Sequence, residues 1–348
     1  MATYKFELPV TRTNPFTPKS LPIISELNKI GFHKYKNRWT KRFGKRIGRI
    51  IFDVGYHIFG LGGEGKALIQ LPNNEVIVTF NSRHLHFGSI YLPAYQENYE
   101  PEVSAVLSVL LTGDKVFYDI GSNWGYFSFF AASKPAYRGP IFAFEPTPST
   151  FSDLTDLVKQ AGLVKRIDCV PVALSDESGH GYLEVDSFSS GLNKLTLSSD
   201  TEGFKKKIKI PVMPLDDFDK AAPDVLKIDA ENHELNVLTG GTETLKKYSP
   251  FIIIENWYSS KTAEISLRPL QFLSSMDYIL FYPIWHLDNQ LVRFDNHADA
   301  KLASSCSKNI LFSSFEVDDR PELPDQVNVF AVHASQIKTF LGSIAGLK

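Results

Sequence analysis

A change of texture near Lys115 constrains this chain most. Beyond it, short apolar runs alternate with helical patterns as far as Ser313. VFYDI (116–120), IFAFE (141–145), IDCVPVA (167–173), VLKID (225–229), FIIIE (251–255), YILFY (278–282) and NILFS (309–313) each read as a strand. Runs that are apolar throughout belong to strands buried on both faces. Such strands, separated by helices, make a parallel sheet covered on both sides. The expected architecture is α/β: a doubly wound, Rossmann-like sheet, with ligands outside the carboxyl ends of its strands. GYLEV (181–185) and KIKIPVM (207–213) read as an inserted hairpin or meander.

The 348 residues, 43% of them hydrophobic, allow roughly two domains and a sizeable core. They exclude a disordered chain, a collagen-like repeat and a disulfide-stapled miniprotein. Cys169 and Cys306 are too few for a metal knuckle or a disulfide framework, which points to a reducing compartment. No apolar run reaches the ~18 residues that span a bilayer. The N-terminus has no secretory core, so the expected location is cytoplasmic. The net charge of −2 hides one asymmetry: Lys34 to Arg49 holds eight Lys and Arg and no acid. Trp39, Phe43, Ile47 and Ile50 would form an apolar stripe on a helix there. It is either an anionic-surface helix making weak contacts or a helix docked on the main domain. No nucleic-acid partner is expected.

Ile23 to Gly31 reads as a helix, and ALIQLPNNEVIVT (67–79) as strand, Asn-Asn turn and strand. An aromatic-rich segment with Phe87, Tyr91, Tyr95 and Tyr99 follows, then a helix from Pro101 to Leu111. The domain reading is an accessory or lid region over 1–98, a catalytic domain over 99–314 and a C-terminal extension over 315–348.

Four strand ends carry the chemistry. The first runs Asp119-Ile120-Gly121-Ser122-Asn123-Trp124-Gly125, whose glycines permit a sharp turn and let backbone N–H groups face a ligand. The second ends in Glu145, placed to accept hydrogen bonds from both hydroxyls of a ribose. The third, Ala173-Leu174-Ser175-Asp176, is a wall for an adenine. The fourth, Lys227-Ile228-Asp229-Ala230-Glu231-Asn232-His233-Glu234, is dense in acids, bases and hydrogen-bonding groups. A dinucleotide needs bare glycines beside its pyrophosphate, and Ser122, Asn123 and Trp124 crowd that path. S-adenosylmethionine, with no phosphate and a cationic sulfur, fits better.

These residues also resemble a known family. The stretch from Tyr99 to Ser313 is similar to the FkbM family of S-adenosylmethionine-dependent methyltransferases. The resemblance is carried by YEPE (99–102), FYDIGSNWGYFS (117–128), FAFEPTPSTFSDL (142–154), VPVALSDESG (170–179), DVLKIDAENHELNVLTGG (224–241) and IIIEN (252–256). It implies a class I methyltransferase fold and O-methylation of a hydroxyl on a glycan or small natural product. It also implies cofactor contacts at Asp119, Gly121, Asn123, Gly125 and Glu145. Ser122 on the first strand end and Ala173 on the third complete the expected cofactor-binding set. Three positions depart from the family pattern: Ser122 for Ala, Thr147 for Asn and Asn232 for Gly. Asn tolerates left-handed backbone better than most residues.

A sugar hydroxyl needs a base as the new bond forms. The candidates are His233, Glu231 and Asp229. The carboxylates have an alternative reading as caps of the next helix, and Asp229 another as a partner of the cofactor or a divalent cation. His233 has one as a partner of the cap. Lys227 pairs with Asp229 or Glu255, structurally or in catalysis. Gly60 to Ala67 matches two nucleotide-loop patterns but lacks the context of either. His84-Leu85-His86 puts two imidazoles on one face of a strand, with no third ligand evident in the sequence, so no metal site is assigned. Asp216-Asp217 reads as a helix cap. The competing functions are a nicotinamide-dependent reductase, and a non-catalytic module recruited by the basic segment.

Overall fold

A computed structural model describes residues 3–10, 14–22, 54–55, 59, 63–82, 84–92, 95, 99–185, 194–196, 206–287, 290–292 and 309–345. The helix expected at 23–31, the basic stretch 34–49, the glycines at 60–62 and Cys306 lie outside the described residues.

In chain order, β1 (Lys5–Pro9) and β2 (Phe16–Ser20) precede a hairpin of β3 (Glu64–Gln70) and β4 (Glu75–Asn81), turned at Asn73-Asn74 as its sequence predicts. A one-turn helix, Gly88–Tyr91, leads toward α1 (Pro101–Leu110). Then β5 (Phe117–Ile120), α2 (Tyr126–Ala132), β6 (Ile141–Phe144), α3 (Pro148–Gln160) and β7 (Ile167–Val170) alternate. The inserted strands are β8 (Ala173–Ser175), β9 (Gly179–Val185), β10 (Lys194–Thr196) and β11 (Lys206–Pro214). The alternation resumes with β12 (Val225–Ile228), α4 (Glu234–Thr239), α5 (Thr242–Tyr248), β13 (Phe251–Trp257) and α6 (Ala263–Ser275). It closes with β14 (Tyr278–Leu287), β15 (Gln290–Val292), β16 (Asn309–Phe315), β17 (Gln326–His333) and α7 (Ile337–Ala345).

The central sheet runs β1-β16-β14-β17-β13-β12-β5-β6-β7, with β15 beside β14. From β7 to β13 every pairing is parallel. From β13 to β1 every pairing is antiparallel, so the sheet is mixed where the apolar runs alone predict a parallel one. Each parallel strand feeds two cores by simple alternation. Phe117, Ile141, Ala143 and Val225 face one core with residues of α1, α2, α3 and α7. Tyr118, Ile120, Phe142, Phe144, Leu226 and Ile228 face the other with residues of α4, α5 and α6. This is the expected doubly wound, Rossmann-like arrangement.

Three expectations need correction. Residues 5–9 pair with β16 and form the far edge of the central sheet, so the region 1–98 is not wholly apart from it. Residues 326–333 form an interior strand between β13 and β14, not an extension packed outside. QVNVFAVH is itself an apolar run of strand length, with six consecutive buried residues. The sequence pattern predicts one helix from about His233 to Lys247, and the structure splits it at Gly240-Gly241. A Cβ on Gly240 would come within 1.8 Å of the Ser175 carbonyl oxygen, so the inserted sheet leaves room only for glycine there.

A second sheet, β10-β9-β11-β8, rises from the insertion, and β2-β3-β4 form a third. The third sheet is tied to α3 by one side-chain amide. Gln160 accepts from the Thr79 N–H at 2.8 Å and donates to the Thr79 carbonyl at 3.1 Å. Phe16 of β2 packs against Trp124 and Phe129, with ring centres 5.0 and 5.4 Å apart. Among the described residues, no helix is long and apolar enough to cross a membrane.

The first strand is held by one aromatic cluster. Phe6 stacks on Phe312 at 5.1 Å and meets Phe281 and Phe340 edge-on at 5.2 and 5.1 Å. Truncation there leaves a cavity that rigid sheet neighbours cannot close. Phe6→Ala is expected to cost about 3–5 kcal/mol. It is read as a lower urea midpoint at unchanged m-value.

Candidate functional site

A cavity of about 380 Å³ opens at the carboxyl ends of β5, β6 and β12, the edge at which a doubly wound sheet binds its ligands. Of the residues predicted from sequence, Gly121, Ser122, Asn123, Glu145, Ala173, Asp229, Glu231 and His233 line it. Asp119 and Gly125 do not. Asp119 is fully buried behind the wall, where the Ser128 hydroxyl donates to its Oδ2 at 2.7 Å. Its Oδ1 is buried without a hydrogen-bond partner. Gly125 caps α2 at φ 94°.

The turn after β5 is closed on itself. The Gly121 and Ser122 N–H groups both donate to the Phe144 carbonyl, at 3.1 and 2.9 Å, and Gly125 N–H donates to the Ser122 carbonyl at 2.8 Å. Asn123 N–H donates to Glu145 Oε2 at 3.1 Å, and Trp124 N–H to the side-chain oxygen of Asn123 at 2.9 Å. The amides expected to face a ligand are thus bound within the fold. Gly121 is required for a different reason. Its φ is 72°, and a Cβ would come within 1.8 Å of the Asp229 carbonyl oxygen, so glycine lets the β5 and β12 ends approach.

Glu145 is 6% exposed and faces the cavity. Its carboxylate accepts from Asn123 N–H, from Thr147 N–H at 2.8 Å and from the Thr147 hydroxyl. A carboxylate has about four acceptor positions, so capacity remains for a ligand. Burial pushes its pKa up to about 7, against those hydrogen bonds.

The floor is a buried charge cluster. Lys227 donates to Asp229 Oδ2 at 2.9 Å and lies 5.2 Å from the centre of the Phe127 ring. The structure therefore selects Asp229 from the two partners proposed for Lys227. Burial opposes the ammonium charge, but Asp229, Asp119 and Glu100 outweigh it and hold the Lys227 pKa above its ordinary value. Burial pushes Glu100 up to about 8, with Lys227 opposing and Asp229 and Glu102 adding. Burial, then Asp229 and Glu100, push Glu255 up as well, and Gln326 hydrogen-bonds its carboxyl. Among the described lining residues, Lys227 is the single Lys or Arg beside the carboxyls of Glu145, Asp229 and Glu231.

At the β12 end, Glu231 and Asn232 have φ 50° and 73°, so Asn232 keeps the left-handed turn for which Asn is suited. Glu234 fastens the turn. Its Oε1 accepts from the Ala230 and Asn232 N–H groups, both at 3.1 Å. His233 reaches across to β8, with Nε2 2.9 Å from Ser175 Oγ. Ser175 Oγ donates to Asp176 Oδ1 at 3.1 Å, and Asn236 Nδ2 donates to the same oxygen at 2.8 Å. Because the Ser175 hydrogen goes to Asp176, its oxygen accepts from His233, which places the imidazole hydrogen on Nε2 and a lone pair on Nδ1. Burial lowers the His233 pKa, with Asp176 opposing, and the ring is neutral at pH 7. Ser175 and Asp176, read as adenine wall, instead orient this histidine.

Several lining residues have no counterpart among the predicted ones. Trp124, Tyr126, Phe127 and Thr147 lie within or just after the predicted strand ends. Tyr95 and Tyr99 are wall residues, whereas Phe87 and Tyr91 from the same aromatic segment are core. His86 also lines the cavity, with Asp153 beside it.

Comparison with known proteins bears on this arrangement. The family model for the methyltransferase FkbM domain matches residues 116–280. The hexuronic acid methyltransferase AglP of Haloferax volcanii is 32% identical over 164 residues, covering 45% of this chain and 62% of that protein. The chain thus spans about three-fifths of that relative's length. Among solved structures, a methyltransferase FkbM from Methylobacillus flagellatus KT is matched at TM-score 0.36 and 16% identity, over 57% of this chain and 43% of that one. The Aeropyrum pernix fibrillarin, solved with natively bound S-adenosyl-L-methionine, is matched at TM-score 0.34 and 12% identity, over 72% of this chain and 94% of that one. The segment from β5 to the start of β14 thus matches the FkbM methyltransferase domain.

Proposed function

We propose that the chain is an S-adenosylmethionine-dependent O-methyltransferase acting on a hydroxyl of a sugar or glycan. The observation that carries this reading is the closed turn after β5 beside an acidic cavity wall. The turn's amides are bound internally, so it offers no cradle for a pyrophosphate. That disfavours a nicotinamide-dependent reductase. Glu145 retains acceptor capacity for a ribose hydroxyl, and Val172, Ala173, Leu174 and Leu183 supply an apolar wall for an adenine. The acidic lining suits a cation.

Bound there, S-adenosylmethionine supplies an electrophilic methyl group on a positively charged sulfur. Glu145 holds the ribose. Asp229, fixed by Lys227, contributes negative potential at the floor. His233 accepts the acceptor hydroxyl's proton at Nδ1, and the Ser175–Asp176 chain stabilises the imidazolium so formed. Glu231, at the same wall, shapes the acceptor side. Asp119 acts through the field of the buried cluster and touches no ligand. Tyr95, Tyr99 and Trp124 offer aromatic faces on which apolar sugar faces pack. The named substrate class of the Haloferax volcanii relative supports a sugar acceptor.

Calorimetry with S-adenosylhomocysteine tests the cofactor. Glu145→Ala is expected to weaken binding about 10–100-fold, the loss of charge-assisted hydrogen bonds. Undiminished affinity removes the ribose role. His233→Ala is expected to lower kcat by about 10²–10⁴-fold while leaving that affinity unchanged, and equal turnover removes His233 from the mechanism.

The same carboxyls set a pH dependence of stability. Glu145 and Glu234 at about 7, and Glu100 at about 8, stand above their ordinary 4.5 in the fold. Each binds its proton more tightly folded than unfolded. Its stabilisation is complete below about pH 4.5 and is lost as pH rises through 7 to 8. The urea midpoint of the free protein is therefore expected to fall across that window.

A further inference from the structure

His84, His86 and Asp153 come together from distant parts of the sequence. His84 Nδ1 lies 2.6 Å and His86 Nε2 2.9 Å from one atom, Asp153 Oδ2. The three ligand atoms all lie within 4.8 Å of one another. The side chains are 34%, 10% and 16% exposed, so the cluster is partly shielded yet open to solvent on one side. It stands apart from the Lys227 cluster and from His233, but His86 is also part of the cavity wall.

We propose that this cluster is a binding site for a first-row divalent transition metal, of which Zn²⁺ is the representative. Two imidazole nitrogens and one carboxylate oxygen form a donor set suited to such an ion and poorly suited to Mg²⁺ or Ca²⁺, which prefer all-oxygen shells. Around an ion with bonds of about 2.0–2.2 Å, ligand atoms stand about 3 Å apart. The nitrogen–oxygen separations match that spacing already, and the ion needs only a modest closure of the two nitrogens.

The supporting elements favour a built site. Asp153 projects from the second turn of α3, whose last turn is fastened to β4 through Gln160 and Thr79. The two histidines sit on the segment between β4 and the one-turn helix at Gly88. His86 packs on Phe87 with ring centres 4.5 Å apart, and Phe87 is buried against Trp124 at 5.4 Å. Without metal, the His N–H groups donate to the carboxylate. On binding, each neutral ring presents a lone pair at that same atom, its hydrogen moving to the other nitrogen, and no net proton is released. Two protein nitrogens and one oxygen leave at least one position for water or an acceptor oxygen. The ion would pin the 84–91 segment, which carries Gly88 and Ser89 of the cavity wall, to α3. This inference does not depend on the methyl-transfer reading.

The test uses the full-length protein, stripped with a chelator and titrated with Zn²⁺ by calorimetry and with Co²⁺ by visible absorption. One equivalent of Zn²⁺ is expected to bind, and Co²⁺ is expected to give the intense d–d bands of a low-coordinate site. Asp153→Asn, close to isosteric, and the double variant H84Q/H86Q should both lose this stoichiometric binding. His180→Ala, an exposed histidine elsewhere, should keep it. Circular dichroism of the metal-free variants separates loss of the site from loss of the fold, and the Co²⁺ spectrum of the unmodified chain reports coordination without any variant. Absence of saturable binding in the unmodified chain overturns the proposal. So does binding that survives in folded Asp153→Asn and H84Q/H86Q.

Discussion

One buried ammonium underlies the carboxyl edge of this sheet. Lys227 stands among acids delivered by separate segments: Glu100 at the start of α1, Asp119 on β5 and Asp229 after β12. The cation offsets part of the repulsion among these carboxyls, and burial raises the pKa of Glu100, Asp119 and Glu255 even so. Such a cluster is costly to desolvate and adds little to stability on its own account. Its presence at the ligand edge of the sheet is therefore better explained by function than by folding.

The central architecture was legible in the sequence because its signal is local. FYDI, IFAF and VLKI are buried along their whole length, and their alternation with helices defines the parallel core. The antiparallel half was harder to read, since an apolar run does not state the direction of its neighbour. β17 is not among the strands that the alternating pattern picks out. Gln326 to His333 has the pattern of a strand, but it follows the region where the family resemblance ends, and its place between β13 and β14 is a matter of crossover rather than composition.

The cavity lining was legible where a residue's place follows from its strand end, as for Glu145, Asp229 and His233. It was not legible where function depends on pairing across the fold. Ser175 and His233 are 58 residues apart, and only the fold reveals that a serine read as wall is the histidine's partner. Likewise Asp153 lies 67 residues beyond His86, on a helix whose own sequence gives it no special role. Asp119 shows the converse. It has the residue type and spacing of a ligand contact, but the strand alternation turns it inward, onto the same face as Lys227 and toward Ser128.

The pairing of β1 with β16 has a kinetic consequence. Lys5 sits opposite Ser313, and Pro9 opposite Asn309, so a strand made early by the ribosome must wait for one made some three hundred residues later. Until then Phe6 and Leu8 have no sheet to join, while the parallel core from β5 to β13 can already assemble. Contacts of such sequence separation are reached late and slowly. During synthesis the early segment is thus a temporarily unprotected apolar edge, the kind of species that chaperones recognise.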